Sequence, residues 1–137
     1  MSLSEFCIRL LCALVAGLII GFERQWHHKS AGVRTNTLVA VGSALYVMLS
    51  LTLTEEKGDP TRIIGQVVSG IGFLGAGIIF KEGLNVYGLT TAATVWCSSA
   101  IGCTAAAGLY WHALIGTITI LCVNMLFVPI DKWLSER

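Results

Sequence analysis

Five apolar stretches divide this chain, each close to the roughly 20 residues that a helix needs to cross the hydrocarbon core of a bilayer. They run near Cys7 to Phe22, Asn36 to Leu53, Ile63 to Phe80, Leu89 to Ala107 and Trp111 to Val128. Polar breaks separate them: Glu23 to Arg34 is charged, Thr54 to Arg62 contains Gly58-Asp59-Pro60, and Lys81 to Tyr87 contains Glu82-Gly83 and Asn85. The fourth break, around Gly108-Leu109-Tyr110, carries no charge, and an odd number of spans depends on it. The pattern predicts an all-α, polytopic membrane helix bundle of five transmembrane helices, built as a single transmembrane domain over residues 1–137.

The third span reads Ser69-Gly-Ile-Gly-Phe-Leu-Gly-Ala-Gly77, a density of glycine that would destabilise a helix in water but lets helices approach closely in lipid. Ala13, Gly17 and Gly21 form a ladder on span one. Gly65, Ser69, Gly72 and Ala76 form a stripe on span three, with Gly75 and Gly77 beside it. Both should hold close helix contacts, within one chain or between chains. A weak internal repeat fits the same layout. Gly32 to Ala44 aligns with Gly88 to Ala100 at an offset of 56 with five of thirteen positions identical, and Gly21 aligns with Gly77. Spans one and two and spans three and four thus read as related hairpins in a parallel repeat, not an inverted one.

Orientation follows from the positions of lysine and arginine beside the spans. Arg24, Lys29, Arg34, Lys81, Lys132 and Arg137 share one side, against Arg9, Lys57 and Arg62 on the other. Six against three places the N-terminus outside and the C-terminus in the cytoplasm. Trp26, Tyr87, Tyr110, Trp111 and Trp133 fall near span ends, where amphipathic rings favour the interface; Trp96 does not and is expected inside the bundle. The N-terminus lacks the small-residue cleavage site of a signal peptide, so it is expected to remain as the first span.

Composition agrees, with 55% hydrophobic residues, 12% charged residues and a mean hydropathy of +0.76. A net charge of +1 gives no reason to expect a nucleic-acid partner, and the lipid bilayer is the first surrounding to consider. The five cysteines lie in apolar stretches without a C-x-x-C pair, which argues for buried reduced thiols and against a disulfide framework or zinc site. His27-His28 has no third ligand nearby. With no Walker lysine loop, H-E-x-x-H or G-x-S-x-G motif, the chain reads as no enzyme, with no cofactor and no metal site.

Two segments carry candidate chemistry. Glu23 ends span one and Arg34 opens span two, so a hairpin brings both to one membrane level, to pair with each other or to engage a partner. Thr90 and Thr91 stand where hydroxyls cap the start of span four; alternatively, with Thr94 they form a polar patch that receives a partner helix or small ligand. Gln66, Ser98 and Asn124 are polar groups at membrane depth and should seek interhelical hydrogen bonds.

Five motifs in order complete the picture: Gly21-Phe-Glu-Arg-Gln-Trp26, Ala31-Gly-Val-Arg-Thr-Asn36, Gln66-Val-Val-Ser-Gly-Ile-Gly-Phe-Leu-Gly-Ala-Gly-Ile-Ile79, Glu82-Gly-Leu-Asn-Val86 and Gly88-Leu-Thr-Thr-Ala-Ala-Thr-Val-Trp-Cys97. In these the chain closely resembles the membrane domain of the MgtC/SapB family, particularly its virulence-associated branch. The resemblance implies a multi-pass protein of the bacterial inner membrane, induced when magnesium is scarce and needed for intracellular survival. It implies regulation over transport, by restraint of the F-type ATP synthase through helix contacts. Further implied partners are a P-type magnesium pump, a small regulatory membrane peptide and a second copy of the chain in a homo-oligomer. Glu23, Arg24, Arg34, Thr35, Thr90, Thr91 and Cys97 are the positions of interest it carries over. Some members hold asparagine where this chain has Thr90, so properties resting on that amide do not transfer. Longer members continue into an ACT-like cytoplasmic domain that these 137 residues lack. The alternative function is a transporter or channel for Mg²⁺ or another small solute. It would place polar groups together at mid-membrane, whereas a regulator would turn a small-residue stripe towards lipid; the sequence favours the regulator.

Overall fold

The computed structural model describes residues 1–54 and 59–136. Glu55, Glu56, Lys57 and Arg137 lie outside them, so two of the charges in the orientation count have no structural description. The described residues form α1 (Leu3–Trp26), α2 (Val33–Leu53), α3 (Thr61–Ile78), a two-stranded hairpin of β1 (Phe80–Glu82) and β2 (Asn85–Tyr87), α4 (Leu89–Ala106), α5 (Tyr110–Leu126) and a short α6 (Val128–Ser135). The fold is an all-α bundle. The uncharged fourth break is a real turn, made by Gly108 with a backbone φ of +79°. The hairpin at the third break is the element that the apolar pattern omits. Its register pairs Phe80 with Tyr87 and Glu82 with Asn85, leaving Gly83-Leu84 as a two-residue loop with Gly83 at φ +61°, the glycine-first pattern of a type II′ turn.

Two helix starts have a clear local cause. Ser2 and Glu5 make a reciprocal capping box on α1, with the Ser2 hydroxyl accepting from the Glu5 amide and the Glu5 carboxylate accepting from the Ser2 amide. At α4 the device is different. Gly88 takes a left-handed φ of +86°, and a Cβ there would stand 2.3 Å from the Ile78 carbonyl oxygen, so only glycine lets the chain leave the hairpin this close to the end of α3.

Four stretches are long and apolar enough to cross a membrane: α1, α2, α3 and Tyr110–Ser135. Helix α4 is not among them, yet it is the centre of the molecule. It touches α1, α2, α3 and α5, and eleven of its residues are buried, against one, Val67, on α3. The outer surfaces carry large exposed apolar side chains on every helix, on α4 only Leu89 and Trp96, as a protein solvated by lipid requires. The interior is thin and built from small residues, chiefly Ala13, Ala16, Ala40, Ala44, Ala105 and Ala113. Close approach is the rule there. A Cβ on Gly17 would meet the Thr37 Cα at 2.8 Å, and one on Gly21 the Val33 Cα at 2.6 Å, so the span-one ladder is the α1–α2 contact. On Gly102 it would fall 2.1 Å from the Ala40 carbonyl oxygen, where α4 crosses α2.

The glycines of α3 differ. Around Gly65, Gly70, Gly72 and Gly77 an added Cβ would meet nothing within 4 Å, and Gly75 has only the Ala92 Cβ at 3.8 Å; Ser69 and Ala76 are exposed. The span-three stripe therefore makes almost no contact within the chain. Trp96 corrects the expectation of an interior ring: it is 52% exposed and borders the groove between α3 and α4. The thiols are all free but only Cys103 is buried; Cys7 and Cys122 lie on the outer surface.

Candidate functional site at the loop end of the bundle

Helix α1 carries two arginines, and each reaches one end of α4. Arg9 Nη1 donates to the Ala106 carbonyl oxygen at 2.7 Å, answering one of the unpaired carbonyls in the last turn of α4. Arg24 Nη2 donates to Thr91 Oγ1 at 2.8 Å in the first turn. The two arginines are fifteen residues apart on α1 and their partners fifteen apart on α4, so the pair fixes the antiparallel register of the two helices.

Beside Arg24, Glu23 faces another way. Its Oε2 accepts from Asn124 Nδ2 of α5 at 3.3 Å, and its Oε1 lies 3.1 Å from His27 Nδ1. The Thr94 hydroxyl has one hydrogen, which goes to the Thr90 carbonyl at 2.8 Å, so the second Asn124 N–H donates to Thr94 Oγ1 at 3.2 Å. Asn124 thereby uses both donors to tie α1 to α4 through α5. Asn36 is satisfied on all sides: Nδ2 donates to the Ala31 and Gly32 carbonyls at 2.6 and 3.0 Å, and Oδ1 accepts from the Ser98 hydroxyl at 2.7 Å. It holds a loop in which His28 and Ala31 both sit at φ +53°, a costly conformation for residues other than glycine. One step further along, Ser43 and Ser99 share a hydrogen bond of 2.7 Å; these are equivalent positions of the 56-residue repeat, meeting across the α2–α4 contact.

The structure separates some sequence candidates and joins others. Glu23 and Arg34 do not pair: Arg34 is exposed on the first turn of α2, and the close neighbour of the Glu23 carboxylate is His27, whose Nδ1 also lies 2.8 Å from the Glu23 backbone carbonyl. The reason is rotational, since Glu23 is turned into the bundle towards α5. Neither Thr90 nor Thr91 caps α4, whose N-cap Gly88 supplies no side-chain acceptor. Instead Thr91 is buried under Arg24, Thr94 is buried against Asn124, and Thr90 is exposed. Thr35 and Cys97 are half-buried. Ser98 and Asn124 find interhelical partners; Gln66 is exposed on α3, lining an apolar groove of about 450 Å³ against α2. Sequence reasoning missed Arg9 and Asn36. Each had a readable signal, a cation one turn from a span's outer end and an amide just inside a span. Among the described residues, no group of three His, Cys, Asp or Glu side chains gathers as a metal site.

A profile of the MgtC family matches residues 10–133. The chain belongs to the MgtC family. It is 58% identical over 123 residues to Protein MgtC of Brucella abortus, covering 90% of this chain and 51% of that protein. To Protein MgtC of Salmonella typhimurium it is 50% identical over 126 residues, covering 92% of this chain and 54% of that one. To the uncharacterized protein slr0014 of Synechocystis it is 47% identical over all 137 residues, 58% of that protein. The chain thus spans about half the length of the curated MgtC proteins it matches. No solved structure matches it.

Proposed function

We propose that this MgtC-family chain is a non-enzymatic regulator of the bacterial inner membrane, with its N-terminus periplasmic and its C-terminus cytoplasmic. It supports adaptation to low magnesium and survival inside host cells by restraining the F-type ATP synthase through helix contacts. The observation that carries this reading is the open face of α3, where small residues that permit close helix approach meet nothing within the chain. Arg34, exposed where α2 begins, offers a charged contact at the same end of the bundle as the hairpin. The interior supports regulation over conduction. Its buried carboxylate, Glu23, is taken up by His27 and Asn124, whereas Mg²⁺ favours carboxylate oxygens and retained water.

The test is ATP-driven proton pumping in inverted vesicles holding equal amounts of the intact chain, Gly72→Leu, Arg34→Ala or no added protein. Lower pumping with the intact chain, at constant passive leak and synthase abundance, is the expected result, and Gly72→Leu should relieve it. Unchanged pumping in every case, together with Mg²⁺ flux in liposomes carrying the purified chain, would replace this reading with transport.

A further inference from the structure

We infer that the loop end of the bundle holds an anion site selective for phosphate groups, walled by Arg24, Lys29, Ser30, Thr90 and Thr91. A cleft of about 550 Å³ opens there between the α1–α2 loop and the start of α4, with Phe80, Val86 and Tyr87 of the hairpin on its far side. Three independent features of its wall favour an anion.

The first is Arg24, only 2% exposed, whose guanidinium spends Nη2 on Thr91 while its Nε–H has no partner. A buried guanidinium with an unanswered donor is an expensive arrangement, and an oxyanion supplies an acceptor and a countercharge beyond that of neighbouring Glu23, whose own oxygens go to His27 and Asn124. The second is the bare N-terminus of α4. Its first intrahelical bond runs from the Ala92 amide to the Gly88 carbonyl, so the amides of Leu89, Thr90 and Thr91 have no helical acceptor and no side-chain cap. The third is the charge of the rim. Lys29 and His28 stand on the loop side and no carboxylate lines the cleft, because Glu23 is turned to His27 and Asn124. Phosphate suits this set better than a carboxylate does, having enough oxygens to meet a guanidinium, an ammonium and helix amides together.

Two sources carry that chemistry at the end of a membrane bundle, the headgroup of an anionic phospholipid and a soluble phosphate, and the experiment separates them. The inference is independent of the regulatory reading, because it concerns binding by the purified chain. The full chain in neutral detergent is titrated with inorganic phosphate, with sodium chloride at equal ionic strength as reference, and its melting temperature is followed. In parallel, nanodiscs of phosphatidylcholine alone and with phosphatidylglycerol are compared. A rise with phosphate and not chloride identifies the soluble source; a rise only with phosphatidylglycerol identifies the lipid. In either case Lys29→Gln, an exposed loop position, should weaken the apparent affinity about three- to tenfold while leaving the unliganded melting temperature unchanged. Arg24→Lys, which keeps the charge without the fork, should weaken it more. No rise with either ligand, or a rise that both variants retain in full, overturns the site.

Discussion

Helices α3 and α4 are consecutive, 18 residues each and rich in small side chains, yet the first buries one residue along one edge of the bundle and the second, with eleven buried, is its axis. What separates them is where their hydroxyls and amides find partners. On α4, Thr91 is bonded to α1, Thr94 to α5, and Ser98 and Ser99 both to α2, so the helix is held from three sides. On α3, Gln66 and Ser69 are exposed. The central helix is not among the candidate membrane spans, and its polar side chains are answered by protein; the glycine-rich helix leaves Gln66 and Ser69 turned outward. Small residues thus mark a capacity for close packing. Polar partners decide which helix uses it within the chain.

The contrast makes predictions of graded size. Gly102→Leu drives a side chain into the backbone of Ala40 and should abolish folded protein, read as loss of a monodisperse peak in detergent chromatography. Asn36→Ala strands the buried Ser98 hydroxyl and removes the side-chain donor to the Ala31 carbonyl, while the Gly32 carbonyl keeps the backbone amide of residue 36, and should cost about 2–3 kcal/mol, measured by denaturant titration in mixed micelles. Gly72→Ala on α3 should cost nothing and gain up to about 1 kcal/mol of helix propensity in the same titration, since its Cβ enters open space. A large loss there would mean that the face is covered by a second copy in the detergent-purified protein. The smallest effect lies at the start of α3. Asp59 accepts from the Thr61 amide at 2.9 Å and from its hydroxyl, which holds its carboxyl below the usual value. Because the folded form favours the charged carboxylate, this contact is fully present above the unfolded value of about 3.9 and is lost as pH falls below it. Fraying at Thr61 and Arg62, followed by amide exchange, should appear only in that acid range and leave α4 unaffected.

Much of this architecture was legible in the chain. The helices fall within a few residues of the apolar stretches, and the span-one ladder packs as its spacing suggests. The hairpin was hidden because strands of three residues have no room for alternation, although its Gly83-Leu84 turn sits two residues between them. The polar network was only half readable. Asn124 and Ser98 announce themselves by depth, but pairing Glu23 with Arg34 assumes that neighbours in a hairpin face each other, and a rotation of α1 sends Glu23 to a helix 101 residues away. Rotation about a helix axis leaves little trace in a pattern as uniformly apolar as that of α1.

That long reach bears on how the protein is made. Arg24 leaves the ribosome 67 residues before Thr91, and Glu23 leaves 101 residues before Asn124. At synthesis rates of about 5–20 residues per second, the second interval lasts roughly 5–20 s. For that time the first hairpin occupies the membrane with its charges unanswered by the helices that will bury them. The end of α1 must therefore wait at the water interface, and it is α5, made long after it, that lets the first helix settle.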